Sequence, residues 1–397
     1  MKRTPTALAA FLEAGFRPFF LAATLGGIAL VLVWGLEYGF SGASPRTGLH
    51  PVVWHGHEML MGYTAAVVAG FLLTAVSNWT GRTTLTGPWL GTLAAVWLAA
   101  RIALLLPGEG HWPAFALETL FFLGLSVALL RPVIAAKRWS DLEVLAKVPT
   151  LWVAGLLIHL GAAGILNEGI RWGLYTALYT VVGLIMVIGR RVIPFFIERG
   201  TGGRLTWRPP RWQELMGLVV FLAFWILDAF TREKAAVALT AAVLVVIHGI
   251  RLLAWHHRAL WSRPMVWVLY LGYTWIVAAF ALKAAGWWWP QADALALHAF
   301  AYGGIGLLTM GMMVRVTLGH TGRNPNAPPR GVSWIFLPLA LGALVRVALP
   351  LLAPDRYPLW VLASAGLWLS GLLALATICL PMWIRPSVPP RGIPLRH

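Results

Sequence analysis

Apolar stretches close to twenty residues long recur from one end of the chain to the other, separated by short breaks rich in Gly, Pro, Arg and Asn. About twenty apolar residues are needed for an α-helix to cross the hydrocarbon core. The pattern therefore predicts spans near residues 17–38, 57–79, 87–106, 112–134, 148–166 and 172–194. Six more are predicted near 213–230, 235–254, 264–285, 293–317, 333–352 and 358–382. The longest polar stretch, Arg190 to Arg211, reads as a loop rather than an extramembrane domain. The expected fold is all-α, a polytopic membrane protein of about 12 transmembrane helices. It forms a single integral membrane domain, 1–397, in which the basic loop offers a division into halves 1–194 and 195–397. Met1 to Ala14 form a short basic head without the small-residue cleavage site of a secretory signal.

Composition agrees: 59% of the 397 residues are hydrophobic and only 11% charged, where a soluble domain carries about a quarter charged residues. The net charge of +17 raises nucleic acid as a partner, but the positions of the cations answer it. With the N-terminus placed inside, twenty-three of the 31 Lys and Arg residues fall on the cytoplasmic side and six outside, leaving Arg101 and Arg346 within spans. This asymmetry is the positive-inside pattern; it predicts both termini in the cytoplasm and no nucleic-acid partner. The single cysteine, Cys379, rules out an intrachain disulfide or a thiolate cluster.

Topology sorts the histidines by depth. His50, His55 and His57 belong to the outer end of the second span, His159 to the outer half of the fifth, and His298 to the outer face of the tenth. His248 lies in the inner third of the eighth span and His320 just past the inner end of the tenth. Ionisable groups at membrane depth are costly and usually functional. On a helix His55 and His57 sit about 200° apart, so they should face different neighbours. The same geometry puts Glu58, Met59 and Gly62 on the face of His55, with Glu58 suited to orient an imidazole. His298 and Tyr302, four apart, share a face. Interfacial histidines bonded to headgroups or carbonyls are the bland alternative at each position. Arg101 and Glu118 fall at similar depth in adjacent spans and could pair. His111 reads as an outer-loop residue, and no two acidic residues cluster as a metal-hydrolase centre would need.

Nucleotide loops, covalent-haem motifs and HExxH helices are absent. What remains is a metal or haem held non-covalently by histidines between helices. Arg17 and Arg315, on the inner side, are candidates for the haem propionates.

Four segments extend this reading: Phe16-Arg17-Pro18-Phe19-Phe20-Leu21; Trp54-His55-Gly56-His57-Glu58-Met59 running on to Asn78-Trp79-Thr80-Gly81; Gly189-Arg190-Arg191-Val192-Ile193-Pro194-Phe195-Phe196; and Leu318-Gly319-His320-Thr321-Gly322-Arg323. Together and in this order they resemble the NnrS family, haem- and copper-containing membrane proteins linked to the bacterial nitric oxide response. The resemblance spans essentially the whole chain, although Ser77 stands where a proline is expected. It implies one or two haem b groups, copper, nitric oxide as ligand, and a place in the bacterial inner (cytoplasmic) membrane. It carries over His55, His57, His298 and His320 as candidate ligands, whereas His248 rests on its depth. The leading expectation is a haem b protein that binds and reduces or detoxifies nitric oxide, fed by a donor such as quinol. The alternatives are a secondary transporter using intramembrane histidines and a non-catalytic haem-based nitric oxide sensor.

Overall fold

A computed structural model describes residues 6–40, 49–106, 111–205, 209–231 and 233–388. Arg46, Arg208, Arg232, His397 and the charges of both chain ends lie outside the described residues. Twelve helices are long and apolar enough to cross a membrane: α1 (Phe16–Gly39), α2 (Pro51–Thr80), α3 (Gly87–Leu105), α4 (His111–Ala135), α5 (Trp139–Ala162), α6 (Gly169–Thr201), α7 (Arg211–Phe230), α8 (Lys234–Trp255), α9 (Pro264–Ala285), α10 (Pro290–His320), α11 (Ser333–Leu352) and α12 (Pro354–Ile384). The chain is a multi-pass membrane protein, and each expected span corresponds to one helix.

Local sequence explains the boundaries. Proline occupies the first turn of α2, α9 and α10, where its missing N–H costs nothing and its φ suits a helix. Gly81 and Gly202 close α2 and α6 at φ 64° and 74°, a left-handed cap that glycine adopts without strain. One expectation is corrected here. The helix α6 runs through Pro194 to Thr201, so about half of the stretch from Arg190 to Arg211 is helix and not loop. Arg190 is fixed at its side by Glu143 at 3.4 Å and Glu214 at 3.3 Å.

Successive helices pack as neighbours, and α12 packs against α1 to close the bundle. The ends of the described chain lie together, because Arg17 at the head of α1 donates to the carbonyls of Met382, Trp383 and Arg385. Two helices form the centre. Within their apolar windows 83% of α2 and 78% of α10 is buried, against 33% to 44% in α1, α3, α4, α5, α7, α8, α11 and α12. The peripheral helices keep one face for lipid.

Both central helices change winding at a histidine. The first is α-helical from Pro51 to His57, then π-helical over Glu58–Thr64. The second is α-helical from Pro290 to His298, then π-helical over Ala299–Gly306. A π segment inserts extra backbone per turn and resets the direction of the side chains around it. Small residues let these helices approach their neighbours: a Cβ on Gly303 would overlap the Trp275 ring, and one on Gly306 would lie 2.6 Å from Trp368. The Tyr63 and Thr309 hydroxyls, 3.1 Å apart, tie the two central helices together.

Candidate functional site

His55 and His57 both lie in the α-helical turns before the winding change and face apart, as helix geometry requires. His55 stacks on Trp34 of α1, ring centroids 4.4 Å apart and planes at 18°. It faces a cavity of about 260 Å³ between α2 and α10, near the lower end of the range for small-molecule sites. His298, Tyr302, Arg346 and Trp368 line the other walls, and the remaining lining is largely aliphatic and aromatic.

Hydrogen bonds assign the protons in this cavity. Arg346 donates from Nη2 to His298 Nε2 at 3.0 Å, and to the Tyr357 hydroxyl at 3.0 Å. Guanidinium is donor only, so the neutral His298 ring carries its proton on Nδ1. That nitrogen is buried without a partner, as is Arg346 Nη1. Tyr302 donates to the Ser364 carbonyl at 2.8 Å. No described hydrogen bond engages the His55 ring. The cavity thus combines a free imidazole, an imidazole with a spare N–H and a guanidinium with a spare nitrogen.

His57 enters a different and sealed cluster. Arg101 of α3 donates to both Glu58 and Glu118. His57 Nδ1 donates to Glu58 Oε1 at 3.0 Å, and its Nε2 lies 3.3 Å from Glu118 Oε1 without hydrogen-bond geometry. His159 of α5 reaches Glu118 Oε2 through Nε2 at 3.3 Å. One ligand atom each from His57, Glu118 and His159 lie within 4.8 Å of one another. His111 stacks on His159 at 6.2 Å and 10°. All six side chains are buried, and His159 Nδ1 and both His111 nitrogens have no partner.

Three sequence expectations are corrected by this cluster. Glu58 joins His57 rather than His55, because the π segment shifts the phase that a regular helix would keep. Glu58 and Glu118, far apart in sequence, do cluster. His111 is a buried residue opening α4 and not a loop residue. The pairing of Arg101 with Glu118, expected from their depth, is present.

The other predicted positions are dispersed. His248 is buried in α8; its Nδ1 lies 2.7 Å from the Tyr273 hydroxyl, and its Nε2 has no partner. Arg251 donates to the same hydroxyl at 3.2 Å. The space beside His248 is about 30 Å³, enough for a water molecule. His320 is exposed at the end of α10, 3.2 Å from the Asn78 amide and 5.8 Å from the Phe16 ring. Arg17 is bound to the end of α12; Arg315 donates to the Met265 carbonyl and stacks over Phe196 at 3.8 Å. None of these four approaches the cavity or the sealed cluster.

A second ionic cluster lies between α6, α7, α9 and α10. Lys283 Nζ sits 2.9 Å from Asp228 Oδ2 and 2.9 Å from Asp293 Oδ1, and Tyr179 donates to Asp228. It borders a polar cavity of about 290 Å³ that Arg171 and Lys234 also line. His111, Arg346 and this lysine were not singled out as site residues from sequence; His159 was read only as one more histidine at membrane depth and Glu118 only as a partner for Arg101. The available signal was the rarity of charged residues inside apolar spans.

Twelve spans around buried histidines, carboxylates and arginines define a polytopic membrane protein with interior sites suited to a metal or haem. Residues 10–387 match the family model described as NnrS protein, and the chain belongs to the NnrS family. Membership points to a metal- or haem-bearing membrane protein of the nitric oxide response. No curated protein matches the chain.

Proposed function

We propose that this chain is a haem b protein of the bacterial cytoplasmic membrane, both termini inside, that binds nitric oxide and removes it by reduction. The observation that carries the reading is the cavity shared by His55 and His298. Its donor set fits haem: a free imidazole to ligate iron, apolar walls to cover the macrocycle, and a spare Arg346 nitrogen for an anionic substituent. Bound there, ferrous haem supplies an iron position that takes nitric oxide, a small neutral gas that reaches the site through lipid.

The chain's own residues shape that site. Trp34 fixes the plane of His55. Arg346 holds the tautomer of His298, so that Nδ1–H is available to hydrogen-bond a bound ligand. Trp368 and Tyr302 pack edge to face at 4.7 Å and form one wall of the cavity. Reduction of two nitric oxide molecules to nitrous oxide and water takes up two electrons and two protons; a membrane quinol is the reductant this reading requires, since the sequence has no flavin or nicotinamide fingerprint. The inner position of His248 is too confined for a second macrocycle as it stands, which favours one haem.

The test is the absorption spectrum and iron content of the full-length protein purified in detergent. A Soret band that shifts with nitric oxide, and is lost in His55→Ala, is the expected result. Protein free of iron and without a Soret band overturns the reading. Nitric oxide binding without turnover under a quinol analogue leaves the sensor alternative instead.

A further inference from the structure

The reaction proposed above consumes protons, and the His55–His298 cavity has no carboxylate in its lining to supply them. Its largely aliphatic and aromatic walls give water few partners. Protons therefore have to come from a neighbouring space. Glu58 and Glu118 of the sealed cluster line none of the described cavities. The polar space beside His248 shares no lining residue with the His55–His298 cavity.

The cavity beside Lys283 does share one. Among the described residues, Tyr175 of α6 alone lines both spaces. On α10 the two are one turn apart: Asp293 lines the polar cavity, Leu297 and His298 the apolar one. At 1.5 Å of rise per residue, Asp293 and Leu297 stand about 6 Å apart along the axis. Asp228, Lys234, Lys283 and Arg171 complete a lining that suits water. Asp293, 45% exposed, brings the cavity to solvent at the end of the bundle where α6 and α10 begin, the outer face in the topology proposed above. The Tyr175 ring is held by Lys283 Nζ at 5.2 Å, by the Arg171 guanidinium at 5.3 Å and by the Tyr179 ring at 6.0 Å. No described hydrogen bond engages its hydroxyl, which leaves that group free to accept one proton and donate another.

We propose that protons reach the His55–His298 cavity from the outer face through the Lys283 cavity, with Tyr175 as the barrier and its hydroxyl as the group that passes them on. The proton demand rests on the reduction reading: for each pair of nitric oxide molecules two protons enter from outside water, quinol supplies the two electrons, and the oxygen removed leaves as water. The route itself rests on the two cavities.

The test starts from the full-length chain with its buried cysteine removed, Cys379→Ala, and one reporter cysteine added. Thr231→Cys reports on the polar cavity and Leu297→Cys on the apolar one. Intact cells and inverted vesicles are treated with a membrane-impermeant reagent, sulfonatoethyl methanethiosulfonate. Thr231→Cys should react in cells and not in inverted vesicles. Leu297→Cys should react slowly in cells, and at least about tenfold faster once Tyr175→Ala removes the barrier, as expected where the open state is a minor one. Reaction of Thr231→Cys only in inverted vesicles, or a Leu297→Cys rate that ignores Tyr175→Ala, overturns the proposal. With quinol analogue as donor, Tyr175→Phe should slow turnover at least about tenfold and raise the solvent deuterium isotope effect, with the nitric oxide-bound spectrum unchanged. An unchanged rate and isotope effect overturns the role of the hydroxyl. If Tyr175→Ala fails to fold, the side from which Thr231→Cys reacts and the Tyr175→Phe isotope effect still decide. Labelling needs neither haem nor turnover: the expected labelling without turnover sinks the reduction reading alone, and turnover with labelling indifferent to Tyr175 sinks this route alone.

Discussion

The two buried ionic clusters are built to one plan, two carboxylates against one cation, and differ in everything around it. Around Lys283 none of the cluster's polar atoms is buried without a partner, and the cluster borders a polar cavity. Around Arg101 the cluster is sealed and ringed by imidazole nitrogens without partners. A satisfied network that meets water reads as a brace between helices. An unsatisfied one in a buried interior is the costlier arrangement and calls for a separate physical reason. Composition alone does not distinguish the two; satisfaction and access do.

The comparison can be broken in graded ways. Arg101→Met strands two buried carboxylates and should cost about 3–5 kcal/mol, read as a loss of unfolding free energy in detergent. Lys283→Met should cost less, roughly 2–3 kcal/mol, since Asp293 is part exposed and its charge is screened. A larger loss at Lys283 than at Arg101 would reverse the assignment of brace and site. Tyr179→Phe removes one donor to Asp228 while Lys283 remains, for about 1.5 kcal/mol and no change in bound iron or copper. Smaller still, Gly62→Ala would place a Cβ 3.2 Å from Glu58 Oε2 and 3.4 Å from Arg101 Cδ, costing about 1 kcal/mol of overpacking. At Gly155 the added Cβ meets Glu118 Oε2 at 3.5 Å, an ordinary contact, so Gly155→Ala should stay within about 0.5 kcal/mol of wild type or gain from helix propensity. Matching thermal shifts for the two glycine variants would show the cluster to be looser than its distances imply.

Much of the fold was legible because lipid imposes a simple code. Length and hydropathy recover all twelve spans, and the opposed directions of His55 and His57 follow from helical pitch. The sealed site was legible only in fragments. Arg101 and Glu118 could be matched by depth, but His111 and His159 come together with them only through the packing of α4 on α5. The partner assigned to His55 failed for a local reason: Glu58 opens a π segment, and its apolar sequence, Met-Leu-Met-Gly-Tyr-Thr, carries no sign of the altered winding. Arg346 escaped for the converse reason. It lies in an aliphatic helix with no motif around it, and only the fold sets it against His298.

The clasp between Arg17 and the end of α12 has a consequence for synthesis. The first span enters the bilayer with a guanidinium whose acceptors lie 365 or more residues downstream. At about 5–20 residues per second they emerge on the order of 20–70 s later. Through that interval these acceptors are not yet there, and the clasp forms only when the last helix arrives. A nascent chain that stops short of the final span therefore leaves the Arg17 guanidinium without these acceptors.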